Sequence, residues 1–168
     1  MSVGLHIRPE EHSDEAAIRS IVAAAFKSNA EADLIDQLRR EGDLTLSLVA
    51  TSEKPVGHVA FSPLCLKDTP HLKACALGPL AVLPGCQGGG IGTALVEEAL
   101  RQLREAGFDL VLVLGEPAYY GRFGFSPEAA RALKTPYDGP YLQALHLSAK
   151  ATGARGAVVY ADAFAGLS

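Results

Sequence analysis

Leu77-Gly-Pro-Leu-Ala-Val-Leu-Pro-Gly-Cys-Gln-Gly-Gly-Gly-Ile-Gly-Thr-Ala-Leu-Val-Glu-Glu-Ala-Leu100 decides how the rest of the chain is read. It opens as an apolar, strand-like run from Leu80 to Leu83. Pro84 and Gly85 break that run, glycines follow at 88, 89, 90 and 92, and a helical pattern begins at once. A glycine loop feeding a helix leaves backbone N–H groups pointing at one spot, and the helix dipole adds positive potential there. Such a place favours an anion, most often a phosphate.

Downstream, Ile91, Leu95, Ala99 and Leu103 share one face of a helix expected over Gly90 to Ala106, with Gly107 as its stop. Asp109 to Leu114 is a continuous apolar run, expected to be a strand buried on both faces. Strand, loop, helix and buried strand make a βαβ unit with parallel strands. Gly78-Pro79 interrupts the first of them. Proline cannot donate to a ladder, so a bulge or splay is expected there.

Upstream, Val3 to Arg8 alternates and should form a strand ended by Pro9. Ile18, Ile21, Val22, Ala25 and Phe26 mark a helix from Asp14 to Phe26, with Ser13 as its cap. A second helix is expected over Ala30 to Arg40, burying Leu34, Ile35 and Leu38, with Ser28 and Glu31 as a capping box. Thr45 to Thr51 and Val56 to Leu66 read as strands joined by a turn at Ser52-Glu-Lys-Pro55, and Leu72 to Leu83 as a third. Past Gly115, Pro117 to Phe123 has the spacing of a short helical segment and Ser126 to Pro140 reads as a loop. Tyr141 to Leu147 and Gly156 to Tyr160 are the last strands. The order βααβββαβαββ is a mixed α/β (α+β) domain, expected to be single over residues 1–168.

Composition narrows the classes. The net charge of −4 over 168 residues argues against a general nucleic-acid or membrane-surface binder. No apolar segment reaches spanning length, and Met1-Ser-Val-Gly-Leu-His6 lacks a signal-peptide layout. Cys65, Cys75 and Cys86 match no metal spacing, so no metal is expected and a cytoplasmic setting is the default.

Three loop types compete at residues 85–93. A Walker A loop needs Lys and a hydroxyl where Ile91 and Gly92 stand. A dinucleotide fingerprint started by Gly88 and Gly90 meets Thr93 at its third glycine. The third type matches. Gln87-Gly88-Gly89-Gly90-Ile91-Gly92 has the form Gln-x-x-Gly-x-Gly, and after Leu80-Ala-Val-Leu-Pro84 it resembles the acetyl-CoA loop of the GNAT (Gcn5-related) N-acetyltransferases. Tyr119-Tyr120-Gly121-Arg122-Phe123-Gly124-Phe125 resembles that family's Tyr-x-x-x-Gly-Phe segment, and the element order resembles a GNAT domain throughout. Gly57-His58, Phe61-Ser62-Pro63 and Gly115-Glu116-Pro117-Ala118-Tyr119-Tyr120 are similar to the bacterial YhbS-like group within it.

The resemblance implies a splayed central sheet flanked by helices and transfer of acetyl from acetyl-CoA to a primary amine by direct attack. Pantetheine would pair with the backbone of Leu80 and Val82, and a backbone N–H in the stretch Leu80, Ala81 and Val82 would hold the oxyanion. The pyrophosphate would rest on Gln87, Gly88, Gly89, Gly90, Ile91, Gly92 and Thr93. Gln87 stands where the family often has Arg, so that end of the cradle is neutral. Glu116 and Tyr119 would adjoin the cofactor. Motif register makes Tyr120 the acid for the departing thiolate, a task that suits a phenol protonated at neutral pH. The run Leu72 to Leu83 holds no carboxylate, where many family members carry a basic Glu. Glu31, His58 and Glu116 are the candidates in its place.

Each candidate has a plainer reading. Glu31 would complete the capping box, His58 would be a hydrogen-bonded core histidine on a half-buried strand, and Glu116 a solvated loop charge. A GNAT domain that binds acyl-CoA without turnover is the alternative function. The acceptor stays open between a small-molecule amine and a peptide or protein amine, and the resemblance admits a homodimer.

Overall fold

A computed structural model describes residues 4–137 and 139–166. They fall into two compact units. The first comprises residues up to Phe61 with Pro79–Leu100 and residues from Asp162; the second comprises Ser62–Gly78 with Arg101–Ala161.

In the first unit, β1 (His6–Pro9) pairs antiparallel with β2 (Leu46–Ser52), and β2 with the opening half of β3 (Lys54–Leu66). The expected four-residue turn is tighter than that. Ser52 already pairs with Lys54, and Glu53 alone makes the reversal at φ 67. The closing half of β4 (Ala74–Val82) lies beside β3, and Leu83 N–H donates to Val56 O at 2.9 Å.

Two helices cover one face of these strands: α1 (Glu15–Phe26) and α2 (Ala30–Arg40). Ile18, Ile21 and Val22 of α1 and Ala32 and Ile35 of α2 pack on Val49, Ala60 and Ala81. The opposite face meets α3 (Ile91–Glu105): a Cβ built on Gly57 would lie 2.9 Å from Ile91 Cγ2 and 3.1 Å from Leu95 Cδ1. β3 therefore needs glycine there for the helix to seat.

Two caps differ from expectation. Ser13 does not cap α1. Residues His12–Asp14 form a single 3-10 turn, and Asp14 accepts from Glu11 N–H at 2.7 Å and from Arg8 at 2.6 Å. The Ser28–Glu31 box is also replaced, because Asn29 is the residue preceding the helix and Glu31 falls one position early. Ser28 Oγ accepts from Ala30 N–H at 3.1 Å instead.

In the second unit, the opening half of β4 runs parallel to β5 (Leu110–Leu114), as the βαβ reading requires, and β5 is antiparallel to β7 (Leu142–His146). The last residues of β3 pair antiparallel with β8 (Gly156–Tyr160). The supposed loop from Ser126 to Pro140 contains a 3-10 turn, Glu128–Ala130, and β6 (Leu133–Lys134), which pairs parallel with β8. Between β5 and that turn stands α4 (Pro117–Tyr120), extended by a 3-10 turn over Gly121–Phe123. Leu64, Leu66, Leu110, Leu112, Leu142 and Ala144 anchor the core of this unit. Of the first expected strand, Val3 lies outside the described residues.

Candidate active site

In the first unit the strand end, the glycine loop and the start of α3 are continuous. After Val82 a 3-10 turn over Pro84–Cys86 closes with Cys86 N–H on Leu83 O at 2.8 Å. Gln87 folds back, its Nε2 donating to Val82 O at 3.0 Å. The side chain standing where the family often places Arg is thus turned toward the strand.

Gly88 and Gly90 have φ of 86° and 87°, and nothing lies within 4 Å of where their Cβ atoms would be. Glycine is required there by dihedral angle, since a Cβ in this region strains the backbone. Gln87 to Gly90 are exposed, and Ile91 to Thr93 partly so. The first intrahelical bond runs from Ala94 N–H to Gly90 O at 3.0 Å, so the amides of Ile91 and Gly92 precede the helix ladder. No carboxylate occupies the first turn of α3, and its positive end is left unneutralised. This arrangement suits a phosphate or pyrophosphate.

Glu31 and His58 are also in this unit and differ sharply. Glu31, in the first turn of α2, has Oε1 buried without a hydrogen-bond partner among the described residues. His58 is fully enclosed, at 0% exposure, and its Nε2 lies 2.7 Å from Ser47 Oγ. Ser47 Oγ also donates to Glu10 Oε1. A hydroxyl has one proton, so with Ser47 donating to the carboxylate, Nε2 must carry the imidazole proton and donate to Ser47. Nδ1 is then the basic nitrogen, and it is the buried atom with no partner. Burial holds the imidazole pKa below its ordinary value in spite of the nearby Glu10 carboxylate. Arg39 completes the group, with Nε and Nη2 donating to Glu10 at 2.8 and 3.0 Å. Burial pushes the Glu10 carboxyl up, but the nearby His58 imidazole and the donors Arg39 and Ser47 hold it well below the usual range.

In the second unit, Tyr120 ends α4. Its ring packs edge-on to Tyr119 at 5.0 Å and to Phe125 at 5.8 Å, with Phe123 at 6.4 Å. Burial pushes its phenol up to about 12, so the proton stays on at neutral pH. No residue among those described hydrogen-bonds its hydroxyl. Tyr119 instead lies under Arg122, whose guanidinium sits 4.5 Å over the ring and whose Nε donates to Tyr119 O at 3.1 Å. Glu116 is exposed just before α4, and its carbonyl accepts from Tyr119 and Tyr120 N–H, each at 3.0 Å.

The chain belongs to the acetyltransferase (GNAT) family, whose model matches residues 6–125. It is 40% identical over 135 residues to the uncharacterized N-acetyltransferase YhbS of Escherichia coli (strain K12), covering 79% of this chain and 80% of that protein. It is 38% identical over 137 residues to YjhQ of the same strain, with 77% and 75% covered. The crystal structure of Escherichia coli YhbS in complex with CoA superposes with a TM-score of 0.92 at 36% identity, covering 100% of this chain and 96% of that one. A GNAT family acetyltransferase from Brucella melitensis in complex with acetyl-CoA superposes at 0.82 with 38% identity, over 96% and 99%.

Two features escaped the sequence reading. The partners of His58, Ser47 and Glu10, lie 11 and 48 positions away, and no local spacing announces them. Gln143, wholly buried on β7, donates from Nε2 to Gly115 O at 3.0 Å. Its only sequence signal is an amide in the apolar run Leu142-Gln-Ala-Leu145. No helix among the described residues is long and apolar enough to cross a membrane, and none of those residues form a metal-ligating group of three or more.

Proposed function

We propose that the whole chain works as one N-acetyltransferase domain, moving acetyl from acetyl-CoA to a primary amine in a ternary complex. The observation that carries this reading is the exposed loop with Gly88 and Gly90 in the left-handed region, set directly before a 15-residue helix whose first turn lacks acid. The CoA and acetyl-CoA held by the two related crystal structures support it. Backbone amides from Gln87 to Thr93 would receive the pyrophosphate, and Leu80 to Val82 the pantetheine. Acetyl-CoA is a substrate here, and the cytoplasm is where it would be met.

Three tasks follow. The amine must lose a proton, the carbonyl oxygen must be stabilised as charge develops, and the sulfur must receive a proton as it leaves. Tyr120 suits the last, having a held ring, a retained proton and a free hydroxyl. Among the three candidates for the first, Glu31 suits it best. Its Oε1 is buried and unpaired among the described residues, which favours an ammonium ligand. His58 is neutral and basic, yet its enclosure keeps an acceptor away. Glu116 is exposed to solvent just before α4. The acceptor is a small-molecule amine or the amine of a peptide or protein.

The test is calorimetry with acetyl-CoA and, separately, with ATP, followed by chromatographic detection of CoA release over an amine panel. Acetyl-CoA should bind and ATP should not, and at least one amine should raise CoA release above hydrolysis. Binding without amine-stimulated release from any panel member would mean an acyl-CoA-binding module instead.

A further inference from the structure

Gln143 is expensive where it stands. It lies mid-strand on β7 opposite Val113, at 0% exposure, between buried Leu142 and Ala144. Its Nε2 is used, donating to Gly115 O, but Oε1 is buried and has no partner among the described residues. An unsatisfied buried acceptor is destabilising, a cost that an apolar side chain would avoid. The Nε2 bond is therefore the thing to explain.

That bond holds the carbonyl of a glycine at the end of a strand. Gly115 N–H donates to Tyr141 O at 3.0 Å, which extends the β5–β7 ladder one residue past Leu114. A Cβ built on Gly115 would lie 2.3 Å from Tyr120 Cε2 and 2.8 Å from Cδ2. The Tyr120 ring thus occupies the space of the missing side chain. Strand alternation puts Val111, Val113 and Gly115 on one face of β5, and Gln143 and Leu145 on the same face of β7. Residues 120–125 lie over that face, since Tyr120 covers Gly115 and a Cβ on Gly124 would come within 3.0 Å of Leu145 Cδ1.

A glycine has more backbone freedom than any other residue, and Gly115 is where the chain leaves the sheet for α4. We propose that Gln143 is a positioning residue: by fixing the Gly115 carbonyl from the neighbouring strand, it sets the exit of the chain into α4 and so the place of the Tyr120 hydroxyl. This rests on the transferase reading only through the kinetic consequence. The positioning itself is a property of the free protein.

The test is Gln143→Met, which keeps the shape of the side chain and removes both the bond and the orphaned oxygen, with Gln143→Leu as a second variant should the first not fold. Tm should stay level or rise. In protein labelled with 13C at tyrosine Cζ, the Tyr120 resonance should shift or broaden, with that of Tyr119 on the same helix, while those of Tyr137 and Tyr160, which pack on each other, stay in place. On an acetyl acceptor, kcat should fall about tenfold with KM for acetyl-CoA within twofold, as a displaced catalytic group predicts. In a Tyr120→Phe background the same substitution should add no further loss. An unmoved Tyr120 resonance in a folded variant overturns the proposal, and so does a kcat loss that multiplies with that of Tyr120→Phe. If the wild type acetylates nothing but the resonance moves, the positioning stands and the enzyme reading falls.

Discussion

His58 is buried and Tyr120 half-buried, both can exchange protons, and they are provided for in opposite ways. His58 is surrounded by polar partners: Ser47 at 2.7 Å, Glu10 beyond it and Arg39 clamping Glu10 from α2. Tyr120 is surrounded by rings, and its hydroxyl is left with nothing to bond among the described residues. A polar network spends its hydrogen bonds inside the fold, here leaving, among the described residues of the group, only the enclosed His58 Nδ1 unpaired. An aromatic socket fixes a side chain while keeping its polar end available. Residue type alone would rank the imidazole above the phenol as a catalyst, and the surroundings reverse that ranking.

The contrast can be broken by substitution. Tyr120→Phe should cost about 100- to 1,000-fold in kcat while Tm stays put, because only an unbonded hydroxyl is removed. Steady-state kinetics beside a thermal melt decide it, and an unchanged kcat removes Tyr120 from the chemistry. His58→Leu should behave in the reverse way. It should destabilise by about 1–3 kcal/mol through the disturbed Ser47–Glu10 group while activity per folded molecule is preserved. Urea unfolding together with active-site-normalised rates would show this, and a stable but inactive variant would restore His58 as a base.

Two smaller effects sharpen the picture. Gly88→Ala or Gly90→Ala should cost about 1–2 kcal/mol in the loop conformation proposed to receive the anion. By calorimetry this would weaken acetyl-CoA by roughly 5- to 30-fold. Unchanged affinity would mean that the left-handed angles serve the fold alone.

The smallest effect concerns pH. The folded pKa of Glu10 lies below its unfolded value of about 4.3. Its contribution to stability is therefore complete above that value and is lost as pH falls from about 5 toward the folded pKa. Glu10→Gln should be less stable at pH 7, and its stability should fall less steeply in acid, by up to one proton. Asp14 and Asp109, whose pKa values are also lowered, keep part of the slope in place. Parallel curves from urea titrations between pH 7 and 3 would show that the network is not held by charge.

What could be read beforehand follows the range of the forces involved. Helix α2 lies over the predicted residues Ala30–Arg40 because its apolar spacing is local, and β8 likewise matches Gly156–Tyr160. The βαβ unit was legible because β5 is uniformly apolar and the glycine loop leaves one direction of return. The Ser28–Glu31 box was not, because cap register turns on the backbone angles of Asn29, which no residue type specifies. β6 escaped because two residues among prolines and glycines carry no period. At the site, the sequence motif picks out the loop glycines and Tyr120. The bond from Gln143 to Gly115 spans 28 positions and becomes visible only once β5 and β7 are paired.

Gly57 and Gly115 each leave a hollow on a strand that another side chain fills, Ile91 in one case and Tyr120 in the other. Across descent, such a pair is inherited jointly. A relative with alanine at the position of Gly115 has no room for a tyrosine ring in this pose, so it must also have changed residue 120 or rebuilt the segment after β5. Aligned relatives should therefore show the two positions changing together, and a lineage that has lost this glycine should also have lost the proposed proton donor.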